Sequence, residues 1–413
     1  MSEIASPELA SVIILGTGQG GFQLAMSLRE EGFTGRIVMV GDEAFIPYQR
    51  PPLSKAFLSG GTDEEGVLLR PPSYFADHNI ELRASTRAVR IDRATRKLIL
   101  STGEELAYDH LALATGARNR RLAVEGADLA GVVQLRDLAE AITIRDALPT
   151  ISRVVVIGAG FIGLEFAATA RAKGIEVTVI EAAGRPMARA ISRPMSEFFQ
   201  AKHEAAGINF RFQDGVRRIL GEERRASGVE TTSGELIPAD LILVGIGILP
   251  NVELAEDAGI LVEDGIVVDE FMATSDASIS AFGDCARAPN RYARAPLRIE
   301  SVQNAVDQAR CLAQRLTGKP TPYVALPWFW SDQGGLKLQI AGLTNPHDEA
   351  IARGDPVSGA FSVFCFNQGR FLGAESVNRV HDYMLARRLL AKGAELAPSQ
   401  AADIGFDLKS LLN

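Results

Sequence analysis

Two stretches of the chain alternate in the same order between short apolar runs and longer amphipathic stretches. The first opens with a β-branched apolar run at residues 11–15, passes through a glycine-rich turn and continues as a helical pattern over residues 22–31, which Gly32 ends. A second apolar run follows at residues 36–40. A buried strand, a glycine turn, a helix that stops at glycine and another strand together predict a βαβ unit.

The same order returns further along the chain. Residues 154–157 form an apolar run, a glycine turn follows, and a helical pattern extends to about Lys173, where Gly174 ends it. The second apolar run, residues 176–180, leads directly to Glu181. The chain is therefore predicted to contain two dinucleotide-binding units of the α/β type.

The C-terminal part of the chain has a different pattern. The apolar runs at residues 361–366 and 371–375 are separated by a Gln-Gly turn, which is typical of a β-hairpin. A polar helical stretch that contains Arg387 and Arg388 follows. These features predict an α+β domain that begins at about residue 325.

Both glycine turns match the GxGxxG pattern of dinucleotide-binding loops. In such loops the first glycine permits a tight turn, the second lets a pyrophosphate approach the backbone, and the third lets the helix pack against its strand. The helix N-terminus then offers free N–H groups to the phosphates. The glycines concerned are Gly16, Gly18, Gly20 and Gly21 in the first turn and Gly158, Gly160 and Gly163 in the second.

An acidic residue follows each loop at the distance expected of a ribose contact. It is Asp42 or Glu43 after the first loop and Glu181 after the second. Two complete motifs predict two bound dinucleotides, and the common pair is FAD with NAD(P)H because a flavin accepts a hydride from nicotinamide. A carboxylate accepts both ribose hydroxyls and repels a 2′-phosphate, so Glu181 favours NADH. Arg185 leaves NADPH open, because an arginine can bind that phosphate.

Composition narrows the class of protein. The 413 residues include 43 Lys and Arg against 51 Asp and Glu, and the resulting net charge of −8 argues against a protein that coats nucleic acid. The cysteines Cys285, Cys311 and Cys365 lie far apart, which excludes a disulfide-stapled fold and a CxxC dithiol. The five histidines have no metal-ligand spacing, so no metal is predicted.

The chain has no pattern typical of a targeting or membrane segment. Its acidic N-terminus lacks the basic region and the apolar core of a signal peptide. The longest apolar stretch, residues 154–164, has eleven residues, whereas a helix that spans a bilayer needs about 20. We therefore expect a cytoplasmic protein with no membrane partner.

Longer segments of the chain resemble a known superfamily. In order around the two glycine loops come residues 110–116 (HLALATG), 241–247 (LILVGIG) and 281–284 (AFGD). These segments resemble the flavoprotein reductases of the pyridine nucleotide-disulphide oxidoreductase superfamily. Three more are similar to the FAD-dependent NADH:ferredoxin reductases of bacterial oxygenase systems, namely residues 47–55 (PYQRPPLSK), 299–305 (IESVQNA) and 327–333 (PWFWSDQ).

The resemblance implies a fold, an activity and a partner. The fold is α/β, with two Rossmann-like domains, one for FAD and one for NAD, and a C-terminal α+β domain. Residues 1–116 and 245–324 are expected to form the FAD domain, residues 117–244 the NADH domain and residues 325–413 the C-terminal domain. The enzyme would transfer a hydride from NADH to FAD. It would then pass single electrons to a [2Fe–2S] ferredoxin that supplies a cytochrome P450 or a ring-hydroxylating dioxygenase. A monomer or weak homodimer is expected.

The cofactor contacts that the resemblance implies are spread along the chain. Those expected to bind FAD, or to lie beside the cofactors, are Gly16, Gly18, Gly20, Gly21, Asp42, Glu43, Arg50, Lys55, Ala88, Thr115, Gly116, Arg136, Gly247, Gly283, Asp284, Val302 and Trp330. Those expected to bind NADH are Gly158, Gly160, Gly163 and Glu181.

Lys55 and Glu165 are the catalytic pair that the resemblance implies. Lys55 would lie beside the isoalloxazine ring, where a cation stabilises the negative charge of reduced flavin, and Glu165 would lie near the flavin and pair with Lys55. Residue type alone is also compatible with a solvated surface lysine and with a first-turn glutamate that the helix dipole favours.

Two further groups of residues keep both a structural and a functional interpretation. Trp328 and Trp330 would share one strand face, and we expect one at the cofactors and the other in the core of the C-terminal domain. Four arginines follow the Gly-Asp motif and form either a docking patch for an acidic ferredoxin or a solvated loop. They are Arg287, Arg291, Arg294 and Arg298.

Other activities share the same expected core. A rubredoxin reductase would differ only in its electron acceptor. An NADH oxidase of the cysteine-dependent kind is disfavoured, because no cysteine precedes Cys285. The alternative from another class is a binding protein like apoptosis-inducing factor, which changes partners when it binds NADH.

Overall fold

The computed structural model describes residues 9–412, and the N-terminal segment, in which no signal peptide is predicted, lies mostly outside them. The chain divides into two compact units. The first unit consists of the described residues up to Gln49, of Glu65–Arg118 and of Leu249–Ala325. The second consists of Arg50–Glu64, Asn119–Ile248 and the described residues from Leu326 onward.

The strands are short, and their bounds follow the apolar runs of the sequence. In chain order they are β1 (Ser11–Leu15), β2 (Arg36–Val40), β3 (Ile80–Arg83), β4 (Ala88–Asp92), β5 (Lys97–Leu100), β6 (Glu105–Ala107), β7 (His110–Leu113), β8 (Ala117–Asn119), β9 (Val132–Val133), β10 (Arg153–Ile157), β11 (Glu176–Glu181), β12 (Ile208–Phe212), β13 (Val216–Glu222), β14 (Arg225–Thr231), β15 (Leu236–Pro238), β16 (Leu241–Val244), β17 (Ile248–Pro250), β18 (Ile266–Val267), β19 (Ile279–Ala281), β20 (Ala286–Asn290), β21 (Ala295–Leu297), β22 (Trp328–Gln333), β23 (Leu336–Gly342), β24 (Glu349–Arg353), β25 (Phe361–Asn367) and β26 (Arg370–Val377).

The helices alternate with these strands. They are α1 (Gln19–Glu30), α2 (Ser73–Asp77), α3 (Leu138–Ala147), α4 (Phe161–Ala172), α5 (Arg193–Ala205), α6 (Glu253–Asp257), α7 (Val302–Leu316), α8 (Val380–Lys392) and α9 (Pro398–Ala402). Short 3₁₀ turns cover Leu148–Thr150, Gly283–Cys285, Pro356–Ser358 and Leu408–Leu412, and one π-helical turn covers Leu53–Phe57.

A parallel five-stranded sheet, in the order β19-β7-β1-β2-β3, forms the centre of the first unit. Ile13 of β1 lies opposite Val38 and Leu111 in the register, and all three are buried. Such continuous burial is typical of strands covered on both faces, and it explains why β1 and β7 are apolar without alternation. The carboxyl ends of the parallel strands meet at one edge, so the loops that follow them are brought together there.

The second unit contains a similar parallel sheet, in the order β12-β11-β10-β16-β9. Val155 of β10 lies opposite Thr178 of β11 and Ile242 of β16. In both sheets the chain runs from the central strand, β1 or β10, through two strands on one side and then crosses to the strand on the other side, β7 or β16. The fifth strands differ, because β19 follows β7 in the chain whereas β9 precedes β10. Ligands of such sheets bind at the carboxyl edge, where the strand order reverses.

The C-terminal residues of the second unit form an antiparallel sheet, β22-β23-β26-β25-β24. The predicted hairpin is confirmed: β25 pairs with β26, and Phe366 lies opposite Phe371. Helix α8 covers this sheet, and its Leu389 lies in the same apolar core as Phe364 and Phe366. The α+β character expected of this part of the chain is therefore confirmed.

The predicted βαβ units are confirmed, with one difference at the start of the first helix. The sequence predicts a helix over residues 22–31, whereas α1 begins at Gln19, because Gly18 acts as its N-cap. Gly20 and Gly21 therefore lie inside the helix. Glycine is a poor helix former, which hides this first turn from a propensity argument.

A buried carboxyl group joins the C-terminal sheet to α5 within the second unit. Glu375 of β26 is fully buried and accepts hydrogen bonds from the backbone N–H of Ser192 (2.8 Å) and from its hydroxyl (2.6 Å). Ser192 is the N-cap of α5. Burial raises the pKa of the Glu375 carboxyl, although the hydrogen bonds from Ser192 and Thr344 oppose that shift.

The raised pKa of Glu375 predicts how the stability of the fold depends on pH. An acid whose pKa is raised by folding stabilises the fold fully below its unfolded pKa, and that contribution is lost as the pH rises through the folded pKa. The variant Glu375→Gln keeps a hydrogen-bonding side chain but cannot ionise. We expect its thermal midpoint, relative to that of the wild type, to increase by about 2 °C or more between pH 5 and pH 8.

Thermal unfolding followed by circular dichroism at several pH values measures this difference. The matched control is Glu349→Gln on β24 of the same sheet, where the side chain is exposed. Its midpoint relative to the wild type should not change with pH. A Glu375→Gln midpoint that stays parallel to the wild type from pH 5 to pH 8 would contradict the prediction.

Candidate functional site

The first glycine loop is closed at two of its glycines and open at the one between them. A Cβ atom added to Gly16, which has φ of +121°, would lie 2.1 Å from the carbonyl oxygen of Ala114. A Cβ on Gly21 would lie 2.0 Å from the carbonyl oxygen of Gly16. A Cβ on Gly18 would meet nothing within 4 Å. The first and last glycines are therefore required by the fold, whereas the middle one leaves space above the backbone.

The N-terminus of α1 faces this space. Gly18 caps the helix without a side chain, so no side-chain oxygen accepts from the N–H groups of the first turn. The first N–H groups of a helix and its dipole favour an anion. A pyrophosphate fits this arrangement, since the open space and the free donors coincide at one loop.

Two other segments follow strands of the first sheet at the same carboxyl edge. Thr115 and Gly116 follow β7, and Thr115 exchanges hydrogen bonds with Asn251 at 2.7 and 2.9 Å. Gly283 and Asp284 form the 3₁₀ turn after β19, and the N–H of Gly283 donates to the Gln308 side chain of α7 at 2.7 Å. These two segments, from which FAD contacts are predicted, thus lie at the same sheet edge as the first glycine loop, within the first unit.

The two candidate ribose acids after β2 differ in their surroundings. Asp42 is exposed, whereas Glu43 is half-buried and accepts a short hydrogen bond from the hydroxyl of Tyr48, itself buried. Asp42 therefore has the more accessible carboxylate of the two. Gly41, just before them, lies against Thr17 so closely that an added Cβ would be 2.3 Å from its hydroxyl oxygen.

Three remaining contacts expected in the first unit lie at its core or at a helix start. Ala88 is buried in β4 and belongs to the apolar core, so only its backbone could be offered to a ligand. Val302 is the first residue of α7, directly after the capping Ser301. Gly20 lies in α1, where an added Cβ would be 3.1 Å from the ring of Phe282.

The second glycine loop repeats the geometry of the first. A Cβ on Gly158, which has φ of +101°, would lie 2.4 Å from the carbonyl oxygen of Gly245. A Cβ on Gly163 would lie 2.4 Å from the carbonyl oxygen of Gly158. Gly160 is the N-cap of α4 and provides no side-chain capping bond, and a Cβ added to it would meet nothing within 4 Å. The second unit therefore has its own place for a pyrophosphate at the carboxyl edge of its sheet.

Glu181 lies at the tip of β11 beside this loop. Its carboxylate accepts from the N–H of Ala159 (2.7 Å) and of Ala183 (2.8 Å), and the side chain is half-buried. Arg185 donates to the carbonyl oxygens of Ala188 and Ile191 at 2.8 and 3.1 Å. Burial lowers the pKa of Arg185. Its guanidinium is thus engaged by its own loop, which weakens the argument for a 2′-phosphate site.

Lys55 and Glu165 form an ion pair within the second unit. The π-helical turn Leu53–Phe57 carries Lys55, and its Nζ lies 2.7 Å from Oε2 of Glu165 on α4. The ammonium group also donates to the carbonyl oxygen of Pro51 at 2.9 Å. The Lys55 side chain is about one fifth exposed and that of Glu165 is buried. The predicted ion pair between Lys55 and Glu165 is confirmed, and Lys55 is not a solvated surface lysine.

Two serines that were not among the predicted site residues, Ser54 and Ser331, complete the hydrogen bonding of Glu165. Ser54 Oγ donates to Glu165 Oε2 at 2.5 Å, and Ser331 Oγ donates to Oε1 at 2.6 Å. Ser331 is followed two positions later by Gln333, which hydrogen-bonds His203 at 2.8 Å. The available signal was the spacing of Ser331 and Gln333 in β22, since residues i and i+2 share a strand face.

The remaining expected contacts of the second unit lie in three places. The guanidinium of Arg50 donates to the carbonyl oxygen of Arg136 at 2.6 Å, so these two are neighbours. Gly247 follows β16, with φ of +102°. The two tryptophan rings lie 5.6 Å apart, which confirms the shared face. Trp328 packs against the C-terminal core, whereas Trp330 is half-buried outside it.

The arginine-rich segment of the first unit is partly neutralised. Arg287 pairs with Glu263 at 2.5 Å, and Arg298 pairs with Glu300 at 2.6 Å. Arg291 and Arg294 lie exposed in the turn between β20 and β21, and neither forms a salt bridge with any described residue. Only two of the four arginines therefore present an unpaired charge.

The three cysteines are buried thiols, far from the ionised state of a reactive cysteine. All three cysteines are free and buried, and burial raises the pKa of each thiol. Within residues 9–412 no group of His, Cys, Asp or Glu is arranged to hold a metal ion. In the same range, no helix combines the length and the apolarity that crossing a membrane requires.

Comparison with known proteins agrees with this geometry. The family model of the pyridine nucleotide-disulphide oxidoreductases matches residues 10–309, and the model named Reductase C-terminal matches residues 328–412. Rhodocoxin reductase of Rhodococcus erythropolis is 53% identical over 399 residues, which are 97% of this chain and 93% of the relative.

Two solved structures are similar over nearly the whole chain. A ferredoxin reductase from Rhodopseudomonas palustris has a TM-score of 0.95 at 49% identity and covers 97% of this chain and 99% of its own. The reductase in the covalent putidaredoxin reductase–putidaredoxin complex also has a TM-score of 0.95, at 39% identity, with 98% of each chain covered. The predicted fold class is confirmed, and the chain belongs to the pyridine nucleotide-disulphide oxidoreductase family, with a C-terminal domain of the Reductase C-terminal type.

Proposed function

We propose that this protein is an FAD-dependent NADH:ferredoxin reductase of an oxygenase system. The observation that supports this most directly is the pair of glycine loops, each with an open middle glycine at an uncapped helix start. A cytochrome P450 or a ring-hydroxylating dioxygenase would be the final user of the electrons. When bound, FAD accepts two electrons from NADH and passes them on one at a time.

The first unit is proposed to bind FAD. Its loop around Gly18 would accept the pyrophosphate, and Asp42, the more exposed of the two acids, would accept the ribose hydroxyls. Thr115, Asp284 and Val302 would contribute further contacts from the carboxyl edge of the same sheet. Backbone donors at helix starts suit this task because their N–H groups point at the phosphate and the helix dipole favours negative charge there.

The second unit is proposed to bind NADH. Gly160 leaves room for the pyrophosphate, and Glu181 is held by two backbone N–H groups at the position where ribose hydroxyls are expected. Lys55 and Glu165 are proposed to act on the redox step. Their pair is fixed by Ser54 and Ser331, so the ammonium group is held in one position rather than moving in solvent.

The proposed electron acceptor is an acidic [2Fe–2S] ferredoxin. Arg291 and Arg294 are the candidates for its docking, because both are exposed and neither pairs with a described acid. Arg287 and Arg298 would contribute less, since their charges are balanced by Glu263 and Glu300. The domain limits predicted from the sequence, a cytoplasmic location and a monomer or weak homodimer stay predictions.

Valine at the middle glycines separates the two cofactors. Gly18 and Gly160 have φ of −73° and −79°, which any residue adopts, so the substitution blocks the open space without straining the backbone. Gly160→Val should retain FAD while its KM for NADH rises about tenfold or more, and Gly18→Val should lose FAD. The flavin absorbance of the purified variants and its anaerobic bleaching by NADH measure both effects.

The wild type in the same assay should be yellow, be bleached by NADH, and then reduce a [2Fe–2S] ferredoxin that passes electrons to cytochrome c. A control at Gly174, an exposed helix-end glycine with φ of +86°, uses the mild substitution Gly174→Asn, which the left-handed region tolerates. Loss of FAD from Gly160→Val with intact Gly18→Val would reverse the assignment and sink this proposal.

Glu181 is expected to set the preference for NADH. Removing its charge in Glu181→Gln should lower the ratio of kcat/KM for NADH over NADPH about tenfold, the change that about 1.4 kcal/mol produces. Steady-state rates with both nucleotides measure the ratio. The control is Glu176→Gln, an exposed acid at the start of the same strand, which should leave the ratio unchanged. An unchanged ratio in Glu181→Gln would show that selection occurs elsewhere.

Charge reversal at the exposed turn tests ferredoxin docking. Replacing Arg291 and Arg294 by Glu should lower the second-order rate of ferredoxin reduction about tenfold at low salt, because like charges repel the acidic partner. The difference should shrink as salt is added, while ferricyanide reduction by NADH remains at the wild-type rate.

The matched control reverses two arginines at another exposed hairpin, Arg224→Glu with Arg225→Glu, between β13 and β14. This variant has the same change in net charge, so it isolates the location of the charges from their sum. Equal slowing in both double variants, or equal salt dependence, would reject docking at Arg291 and Arg294.

A further inference from the structure

A buried chain of hydrogen bonds runs from α5 to Glu165 within the second unit. Nε2 of His203 lies 2.8 Å from Oε1 of Gln333, and Nε2 of Gln333 lies 3.1 Å from Oγ of Ser331. Oγ of Ser331 lies 2.6 Å from Oε1 of Glu165. The relative exposure of His203, Gln333, Ser331 and Glu165 is 4%, 1%, 0% and 3%, so water does not compete for these bonds.

The chemistry of the groups gives the chain a single direction. The amide oxygen of Gln333 can only accept, so His203 donates from Nε2. The amide nitrogen of Gln333 then donates to Ser331, and the Ser331 hydroxyl donates its one proton to the carboxylate. Burial lowers the pKa of His203, so the ring is neutral at neutral pH. Each donation supports the next one, because hydrogen bonds in a low-dielectric interior polarise one another.

The carboxylate at the end of this chain is held from both sides. Oε1 accepts from Ser331, while Oε2 accepts from Ser54 and pairs with Lys55 at 2.7 Å. A glutamate side chain has three rotatable bonds and would otherwise lose its orientation easily. Without the bond to Ser331, Oε1 would be buried and unsatisfied, and rotation to relieve this would disturb the alignment of Oε2 with the ammonium group.

We propose that His203, Gln333 and Ser331 are positioning residues that hold Glu165 against Lys55 and thereby support the reduction of the flavin by NADH. This inference rests on the proposed role of the Lys55–Glu165 pair. None of the three residues needs to touch a cofactor. Their effect passes through Glu165 alone, so the second unit's α5 and C-terminal sheet influence the redox step through one carboxylate.

The test compares single variants of the FAD-loaded enzyme in anaerobic stopped flow. In Ser331→Ala and Gln333→Leu the limiting rate of flavin bleaching at saturating NADH should fall about tenfold, as is typical of residues that support a ligand's orientation. The dissociation constant for NADH should stay within about twofold. The midpoint potential of bound FAD, which does not depend on turnover, should shift in the same direction as in Glu165→Gln.

His203 supplies the arm that does not depend on the residues next to the carboxylate. His203→Leu removes the first donor and should slow flavin bleaching, whereas His203→Gln can still donate and should restore it at least in part. This pair decides the question even where Ser331→Ala fails to fold. The matched control is Ser376→Ala, because Ser376 is a fully buried serine of the same sheet that bonds Ser362 at 2.8 Å instead. It should leave bleaching within about twofold of the wild type.

A double-mutant cycle separates positioning from general stability. If Gln333 acts through Glu165, Gln333→Leu should have almost no further effect on the bleaching rate in the Glu165→Gln background. Fully additive effects would overturn the inference, as would lower thermal midpoints with unchanged bleaching rates and potentials. A Glu165→Gln variant that reduces FAD as fast as the wild type would overturn both this inference and the proposed role of the ion pair.

Discussion

The close approach of backbone to backbone at the two glycine loops is the constraint on which both α/β units depend. At Gly16, Gly21, Gly158 and Gly163 an added Cβ would lie 2.0 to 2.4 Å from a carbonyl oxygen. A Cβ atom cannot lie so close to a carbonyl oxygen, so these turns require glycine. The same contacts pull each helix start against its strand, and they leave the N–H groups of α1 and α4 open at the carboxyl edge of the sheets.

The parallel sheets convert this local constraint into a site. In each unit the strand order reverses beside the glycine loop, and the ends of neighbouring strands deliver polar residues to the same edge. Thr115, Gly283 and Asp284 reach the first loop in this way, although they are distant from it in sequence. In the second unit Glu181 is held by the N–H of Ala159 inside the loop itself. In both units the place proposed for the pyrophosphate is therefore formed by backbone geometry rather than by a charged side chain.

The C-terminal sheet is an active part of the second unit rather than an appended layer. Its strand β22 supplies Ser331 to Glu165, and its strand β26 supplies Glu375 to the start of α5. Helix α5 is thus fastened to this sheet near both ends, by Ser192 and by His203. Buried carboxyl groups with complete hydrogen bonding specify one packing arrangement, because any other arrangement would leave a polar group without a partner.

Patterns within consecutive residues were enough to predict the two βαβ units, the positions of the glycine loops, the acids at the strand tips and the C-terminal hairpin. These features follow from local periodicity and from fixed spacing, which are written in consecutive residues. The pairing of Lys55 with Glu165 followed from resemblance, since no short-range pattern connects them. The long segments that resemble the family therefore predicted more of the candidate site residues than the composition did.

The side chains that complete the candidate site could be identified only from the packing of distant elements. Ser54 and Ser331 hydrogen-bond Glu165 although they lie 111 and 166 positions away from it in the sequence. Arg185 donates to a backbone carbonyl oxygen and Arg287 pairs with a carboxylate, which the sequence does not reveal. Such contacts depend on where distant strands and helices come to lie, and a hydroxyl or a guanidinium in the sequence does not state its partner. Local spacing could identify the glycine loops. Only the packing of distant elements determines which groups hydrogen-bond or pair with the charged side chains beside them.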